Sequence, residues 1–218
     1  MNQLEDKIKI SRKVIIDMLK DRGYQTEHLL TVLPEPIFIQ LWSTFTNDSN
    51  VFDLECENKV GKRIYVKYIK QHIIFTKKNK PKTLKLSEIN NTLRHINDLL
   101  FDDNIIYVIC DTEHTDVIET YETFLKQNNN IEIFDIKRLL MNITKHSYVP
   151  QHIKIPLSMV NKLKQDLQIS SIYKLPVIAH TDPVARYFNF KRGDVIKIVR
   201  ISPSYGTHIS YRVCSDIE

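Results

Sequence analysis

Asp53, Glu57 and Lys59, in the run DLECENK, form the arrangement in this chain closest to a catalytic set. Metal-dependent nucleases place an acid on one strand and a Glu/Asp-x-Lys on the next, which jointly hold Mg²⁺. Here Asp53 and Glu57 are only four residues apart, which puts both on one strand, and Glu57 and Lys59 read as strand-edge charges leading into a turn. The three cysteines, Cys56, Cys110 and Cys214, are widely spaced and none has a nearby Cys or His partner, so a zinc site has no local signature. His146 and His152 flank one short arm without a third ligand and read as hydrogen-bonded histidines. No serine lies in a Gly-x-Ser-x-Gly turn. The expectation is a protein with no catalytic residues, no cofactor, no metal and no small-molecule substrate.

The elements that position these residues belong to a folded chain of 218 residues, 42% hydrophobic and 26% charged. There is no uninterrupted apolar run of membrane-spanning length. The opening MNQLEDKIKISR carries acids, unlike a secretory leader, so the expectation is an intracellular protein without a membrane partner. The net charge of +5 is unevenly placed. Residues 1–145 hold 21 Lys/Arg and 21 Asp/Glu, whereas residues 146–218 hold 10 and 5. That excess favours an anionic partner, nucleic acid or an acidic protein face.

Val14, Ile15, Met18 and Leu19 recur at helical spacing, and DRGY stops that helix near Arg22, with Gly23 left-handed. Thr26 is expected to cap a second short helix through Leu33, and PIFIQLWSTF to form a third. VFDLECE and RIYVKYI read as strands, with QHIIFT a further short one. KKNKPKTLK is a basic loop, and Ser87 caps a helix striped by Ile89, Leu93, Ile96 and Leu100. NIIYVIC has the nearly continuous apolar character of a doubly covered strand. A helix over 116–126, the strand IEIF and a helical turn through Leu140 follow. This order predicts an α/β domain over 1–145 with a helical start and a mostly parallel sheet.

From His146 the pattern resets to a small α+β domain over 146–218. YVPQHIKI reads as an extended arm or edge strand, Ser158 caps a helix buried on Val160, Leu163 and Leu167, and Leu175–Pro176 is a turn. DVIKIVRI and HISYRVC form a hairpin. Between turn and hairpin lies TDPVARYFNFKRGD. Asp182 before Pro183 is a strong helix start, with Val184, Ala185 and Phe188 facing a core and Arg186 facing elsewhere. Gly193 is a helix stop or elbow requiring positive φ.

NITKHSYVPQH, LPVIAHTDPVARYFNFKRGDVIKIVR and ISYRV, in that order, resemble the shared fifth subunit of eukaryotic-type RNA polymerases and its smaller archaeal counterpart. The resemblance runs along essentially the whole chain and is tight from about Asn142, with DRGY and the α/β region similar to that family's jaw domain. It implies a non-catalytic subunit whose carboxyl-terminal domain docks on the largest polymerase subunit among other polymerase subunits. The jaw then lies beside downstream double-stranded DNA, bound weakly and without sequence preference. It assigns the assembly interface to Pro183, Arg186, Tyr187, Lys191, Arg192, Gly193, Arg200, Tyr211 and Arg212. Lys77, Lys78, Lys80 and Lys82 are the residues expected on the DNA side.

Two departures stand out. The stretch between the 158–167 helix and LPVIAH is short, and DTEHTD replaces the Thr/Ser-Pro-Ser-Ala loop common in relatives. With the Asn-, Ile- and Lys-rich composition, this suits a large DNA virus's own polymerase or an AT-rich microbial genome. The compartment would be the nucleus for a cellular protein, and the cytoplasm or virion for a cytoplasmic virus. The alternatives are a free-standing nucleic-acid-binding module, on the basic domain and Tyr65, Tyr68 and Tyr187, and the nuclease-fold enzyme weighed above.

Overall fold

The computed structural model describes residues 3–45, 49–69, 104–110, 130–202, 204 and 206–216. The chain divides into two compact units, Met1–Met141 and Asn142–Glu218, four residues before the boundary read from the sequence. The strand expected in QHIIFT, the basic loop, the helix after Ser87, the DTEHTD loop and the helix over 116–126 lie outside the described residues.

The first unit opens with helix α1 (Gln3–Asp21), whose buried stripe includes Ile8, Val14, Ile15, Met18 and Leu19. The helix ends as DRGY dictates. The Arg22 and Tyr24 amides donate to the carbonyls of Met18 and Leu19, and Gly23 takes φ 87°. No second helix follows at Thr26. The segment makes one hydrogen-bonded turn, Leu29 N–H to the Thr26 carbonyl, and then runs irregularly to Pro34. So few residues before a proline form too few helical bonds to offset the cost of nucleation. Helix α2 (Glu35–Phe45) does form, and Phe38 and Phe45 pack on Phe52, with ring centroids 5.5 and 4.9 Å apart.

A short 3₁₀ turn over Ser49–Phe52 replaces the start of the expected VFDLECE strand. Strands β1 (Leu54–Glu57), β2 (Arg63–Ile69), β3 (Asn104–Ile109) and β4 (Ile131–Asp135) then form one sheet in sequential order. The β1–β2 pair is antiparallel, and the β2–β3 and β3–β4 pairs are parallel. Ile105 through Ile109 are all buried, as a covered parallel strand requires. The helical turn after β4 is 3₁₀, Ile136–Leu139, capped by the Asp135 side chain, and it packs on α1.

The second unit is a four-stranded mixed sheet with helices on both faces. Its strands, β5 (Gln151–Lys154), β6 (Val177–Ala179), β7 (Val195–Ser202) and β8 (Gly206–Ser215), are ordered β5-β7-β8-β6. The β7–β8 hairpin and the β5 edge strand match the sequence reading. Strand β6, parallel to β8, occupies the place where the sequence reads only a turn after Leu175–Pro176. Three residues are too few to carry a periodic signal, and their pairing partner lies far along the chain.

Helix α3 (Leu157–Asp166) begins before Ser158, with Pro156 at its cap and no side-chain cap bond, so the expected serine cap is not made. Its Val160 and Leu163 pack on Leu175, Val195 and Val213. Leu167, expected to be buried, is 40% exposed. The chain turns left-handed at Gln168, and Ile169 takes the packing position instead. Helix α4 (Pro183–Phe188) covers the other face, where Ala185 and Phe190 pack with Ile178, Ile196, Ile198 and Cys214. Adjacent residues Val195 and Ile196 serve opposite layers because side chains alternate along a strand.

Candidate functional site

The segment joining α4 to β7 is built almost entirely by local chemistry. The Asp182 carboxylate accepts from the Val184 amide at 2.8 Å and the Ala185 amide at 3.4 Å, while Pro183 takes the first helical position, where no donor is needed. The helix is stopped by Asn189 in the left-handed conformation, φ 53°, rather than by Gly193. Gly193, φ 85°, is the elbow of a tight turn from Lys191 to Asp194, whose carboxylate accepts from the Lys191 amide at 2.8 Å. Two backbone bonds of 2.8 Å, Gly193 N–H to Cys214 O and Cys214 N–H to Asp194 O, fix this elbow to β8.

The nine assembly residues named above do not form one patch. Tyr187 is buried, and its hydroxyl accepts from Asn142 Nδ2 at 3.2 Å, so its ring serves the unit's interior. Gly193 contributes backbone alone. Pro183 and Lys191 are exposed and Arg186 is half-buried. Arg192 is paired with Asp216, which also meets His180 Nδ1 at 2.7 Å. Arg200 and Arg212 share the α4 face of the sheet by register, and the Arg212 guanidinium donates to the Val177 carbonyl at 3.1 Å on the edge strand. Tyr211 lies on the opposite face and packs toward the α3 layer. His152, on the Arg200 face, has its Nδ1 2.7 Å from the Pro150 carbonyl, and burial pulls its pKa below the ordinary value. Lys77, Lys78, Lys80 and Lys82 lie outside the described residues.

In the first unit, the side chains that suggest chemistry are engaged structurally. Asp53 pairs with Lys67 at 3.3 Å and accepts from the Tyr68 amide. Tyr68 is buried, hydrogen-bonded to Ser11 at 3.2 Å, and burial pushes its phenol up. Tyr65 donates to Glu55 at 2.9 Å. Arg12, held inside by the Leu30 and Phe52 carbonyls, has its pKa lowered by burial. The three cysteines are free and buried, and burial raises the thiols of Cys56 and Cys214 to about 11. Among the described residues no three His, Cys, Asp or Glu are grouped for a metal, and no helix is long and apolar enough to cross a membrane.

Sequence reasoning missed the pair that ties DRGY to the sheet. Arg22 donates to both carboxylate oxygens of Glu132, at 2.8 and 2.9 Å, and the Tyr24 hydroxyl accepts from Asn104 Nδ2 at 3.2 Å. Nothing in a single sequence links residues 22 and 132.

The carboxyl-terminal unit is therefore a small mixed-sheet module, with helices on both faces and a rigid capped helix and elbow leading into a basic hairpin. Residues 141–214 match the family model described as RNA polymerase Rpb5, C-terminal domain. The subunit rpabc1 of DNA-directed RNA polymerases I, II and III from Dictyostelium discoideum is 43% identical over 89 residues, covering 38% of this chain and 42% of that protein. The corresponding Caenorhabditis briggsae subunit, RPABC1, is 39% identical over 88 residues, covering 38% and 39%. The chain thus spans about two fifths of the length of the curated relatives it matches.

Proposed function

We propose that this chain is a non-catalytic subunit of a multisubunit DNA-directed RNA polymerase. Its carboxyl-terminal unit docks on the largest subunit, and its amino-terminal unit acts as the jaw beside downstream DNA. The observation that carries the reading is the coincidence of the family match, residues 141–214, with a self-contained unit over Asn142–Glu218. The relatives' names supply the polymerase. The unit's distinctive residues, Asp182, Pro183, Asn189 and Gly193, shape a rigid surface, which supports a docking role. Neither alternative gains support, because Asp53 is engaged by Lys67 and the buried Tyr68 and Tyr187 are unavailable for stacking on bases. DNA contact by the jaw is weak and phosphate-based, as the balanced charge of residues 1–145 dictates. The protein works where its polymerase does: the nucleus of a cell, or the cytoplasm or virion for a cytoplasmic DNA virus.

The test is co-expression of the tagged chain with the largest polymerase subunit of the same source. A stoichiometric complex is expected. Arg186→Ala should weaken it while Lys78→Ala leaves it intact, with circular dichroism confirming that both variants fold. Failure of the unaltered chain to bind the largest subunit, or the reverse ranking of the two variants, would sink the reading.

A further inference from the structure

The face of the second unit's sheet that carries α3 is only half covered. Val195 and Val213 lie under α3, and Tyr211 marks the limit of that layer. Beyond it the pairing register places Ile153, Val199, Ile201 and Ile209 on the same side of three adjacent strands: Ile153 opposite Lys197, Val199 opposite Ile209, and Ile201 opposite Thr207. Ile201 is 84% exposed, Ile209 45% and Ile153 40%, so the uncovered end of this face is mainly apolar, with exposed Gln151 and Thr207 in register beside Val199 and Ile201. Scattered exposed apolar residues are ordinary, but a continuous set on one sheet face marks an interaction site.

Charge selects the occupant. On this face the hairpin carries Lys197 and no Asp or Glu, whereas Arg200, His208 and Arg212 lie on the α4 face. Lys197 sits within the apolar face and has no ion pair among the described residues. A second copy would bring lysine against lysine across the same patch. A nucleic acid would satisfy Lys197 but leave the isoleucines uncovered. We infer that the open end of the β5-β7-β8 face receives an amphipathic, acidic protein segment, its apolar side chains against Ile201 and Ile209 and a carboxylate against Lys197. This rests on the docking reading above and places the segment on the largest polymerase subunit.

The experiment uses the full chain with the largest subunit as probe, comparing Ile201→Glu, Ile209→Glu and Lys197→Glu with the unaltered chain. Ile201 is so exposed that its substitution leaves folding unaffected, which keeps the test valid if Ile209→Glu misfolds. Each glutamate is expected to weaken binding at least tenfold, and a photo-crosslinker at position 201 should attach to an acidic, apolar stretch of the largest subunit. Unchanged binding by Ile201→Glu, crosslinking to DNA, or crosslinking to a second copy would overturn the inference while the docking reading stands. No binding by the unaltered chain would remove both.

Discussion

Replacing Arg22 by alanine should unfold the first unit preferentially, and the size of the effect follows from where the ion pair lies. Its side chain is 5% exposed and that of Glu132 15% exposed, with both guanidinium–carboxylate bonds under 3 Å. Removing one member of a buried pair costs about 3–5 kcal/mol, because the other charge keeps its desolvation penalty and loses its main partner. Glu132 retains some access to water, so the lower figure, about 3 kcal/mol, applies. For a unit of this size that corresponds to roughly 6–12 °C in Tm. The only tryptophan, Trp42, belongs to the first unit, so its fluorescence follows that unit's unfolding within the full chain. Glu35→Gln, which breaks the exposed Lys9–Glu35 pair, is the control and should cost under ~1 kcal/mol. The double variant Arg22→Met, Glu132→Leu should recover most of the loss, since apolar replacement of a buried pair is often near neutral. If Arg22→Ala costs no more than the control, the assignment of DRGY as the clamp between α1 and β4 is wrong.

Asp182→Ala should destabilise the α4 turn by about 1 kcal/mol and Asp182→Asn by less, read as faster hydrogen exchange at the Val184 and Ala185 amides. Equal effects of the two changes would show that the carboxylate acts otherwise than as a cap. With their thiols raised to about 11, Cys56 and Cys214 should react with a thiol reagent at pH 8 about 100-fold more slowly than in the urea-unfolded chain. The stability tied to these neutral thiols is complete below the ordinary thiol range and is lost as pH rises toward 11; rapid labelling of the folded chain would contradict it. His152 should titrate by NMR below the ordinary histidine value of about 6.5, because burial disfavours its cation. The unfolded chain then takes up that proton first, so this group's contribution to stability falls as pH drops through the histidine range. A midpoint at or above the ordinary value would refute the argument.

What the sequence made legible was local. The stop of α1 at Gly23, the Asp182–Pro183 start of α4 and the β7–β8 hairpin each depend on a few neighbouring residues, and each forms as read. The misreadings of the second unit share one physical source, competition from partners distant in the chain, whereas the missing helix after Thr26 fails locally, on length and Pro34. Ser158 is an adequate cap, yet α3 starts at Leu157, where its packing face meets Leu175 and Val213. Asn189 ends α4 because Phe190 must turn back into the core beside Ala185, a demand invisible in KRG. Arg200 and Arg212 could be assigned to one face, and Tyr211 to the other, only once the register was fixed. The Arg22–Glu132 pair joins residues 110 positions apart.

The excess charge of the last third takes on meaning once its acids are located. Of five, Asp182 caps α4, Asp194 closes the elbow and neutralises Lys154 at 2.7 Å, and Asp216 neutralises Arg192. Those carboxylates are committed to holding the unit's shape, so they offer little compensation elsewhere. Arg212 is turned onto a neutral carbonyl and keeps its charge, as do Lys197 and Arg200 on the hairpin. A purely electrostatic footprint would therefore fall on the hairpin and suit nucleic acid as well as an acidic protein. The apolar set at Ile153, Val199, Ile201 and Ile209 breaks that tie, because its burial is favourable only against another apolar surface. Lys197 supplies the positive charge on that face, and the isoleucines beside it require that the acidic partner be a protein.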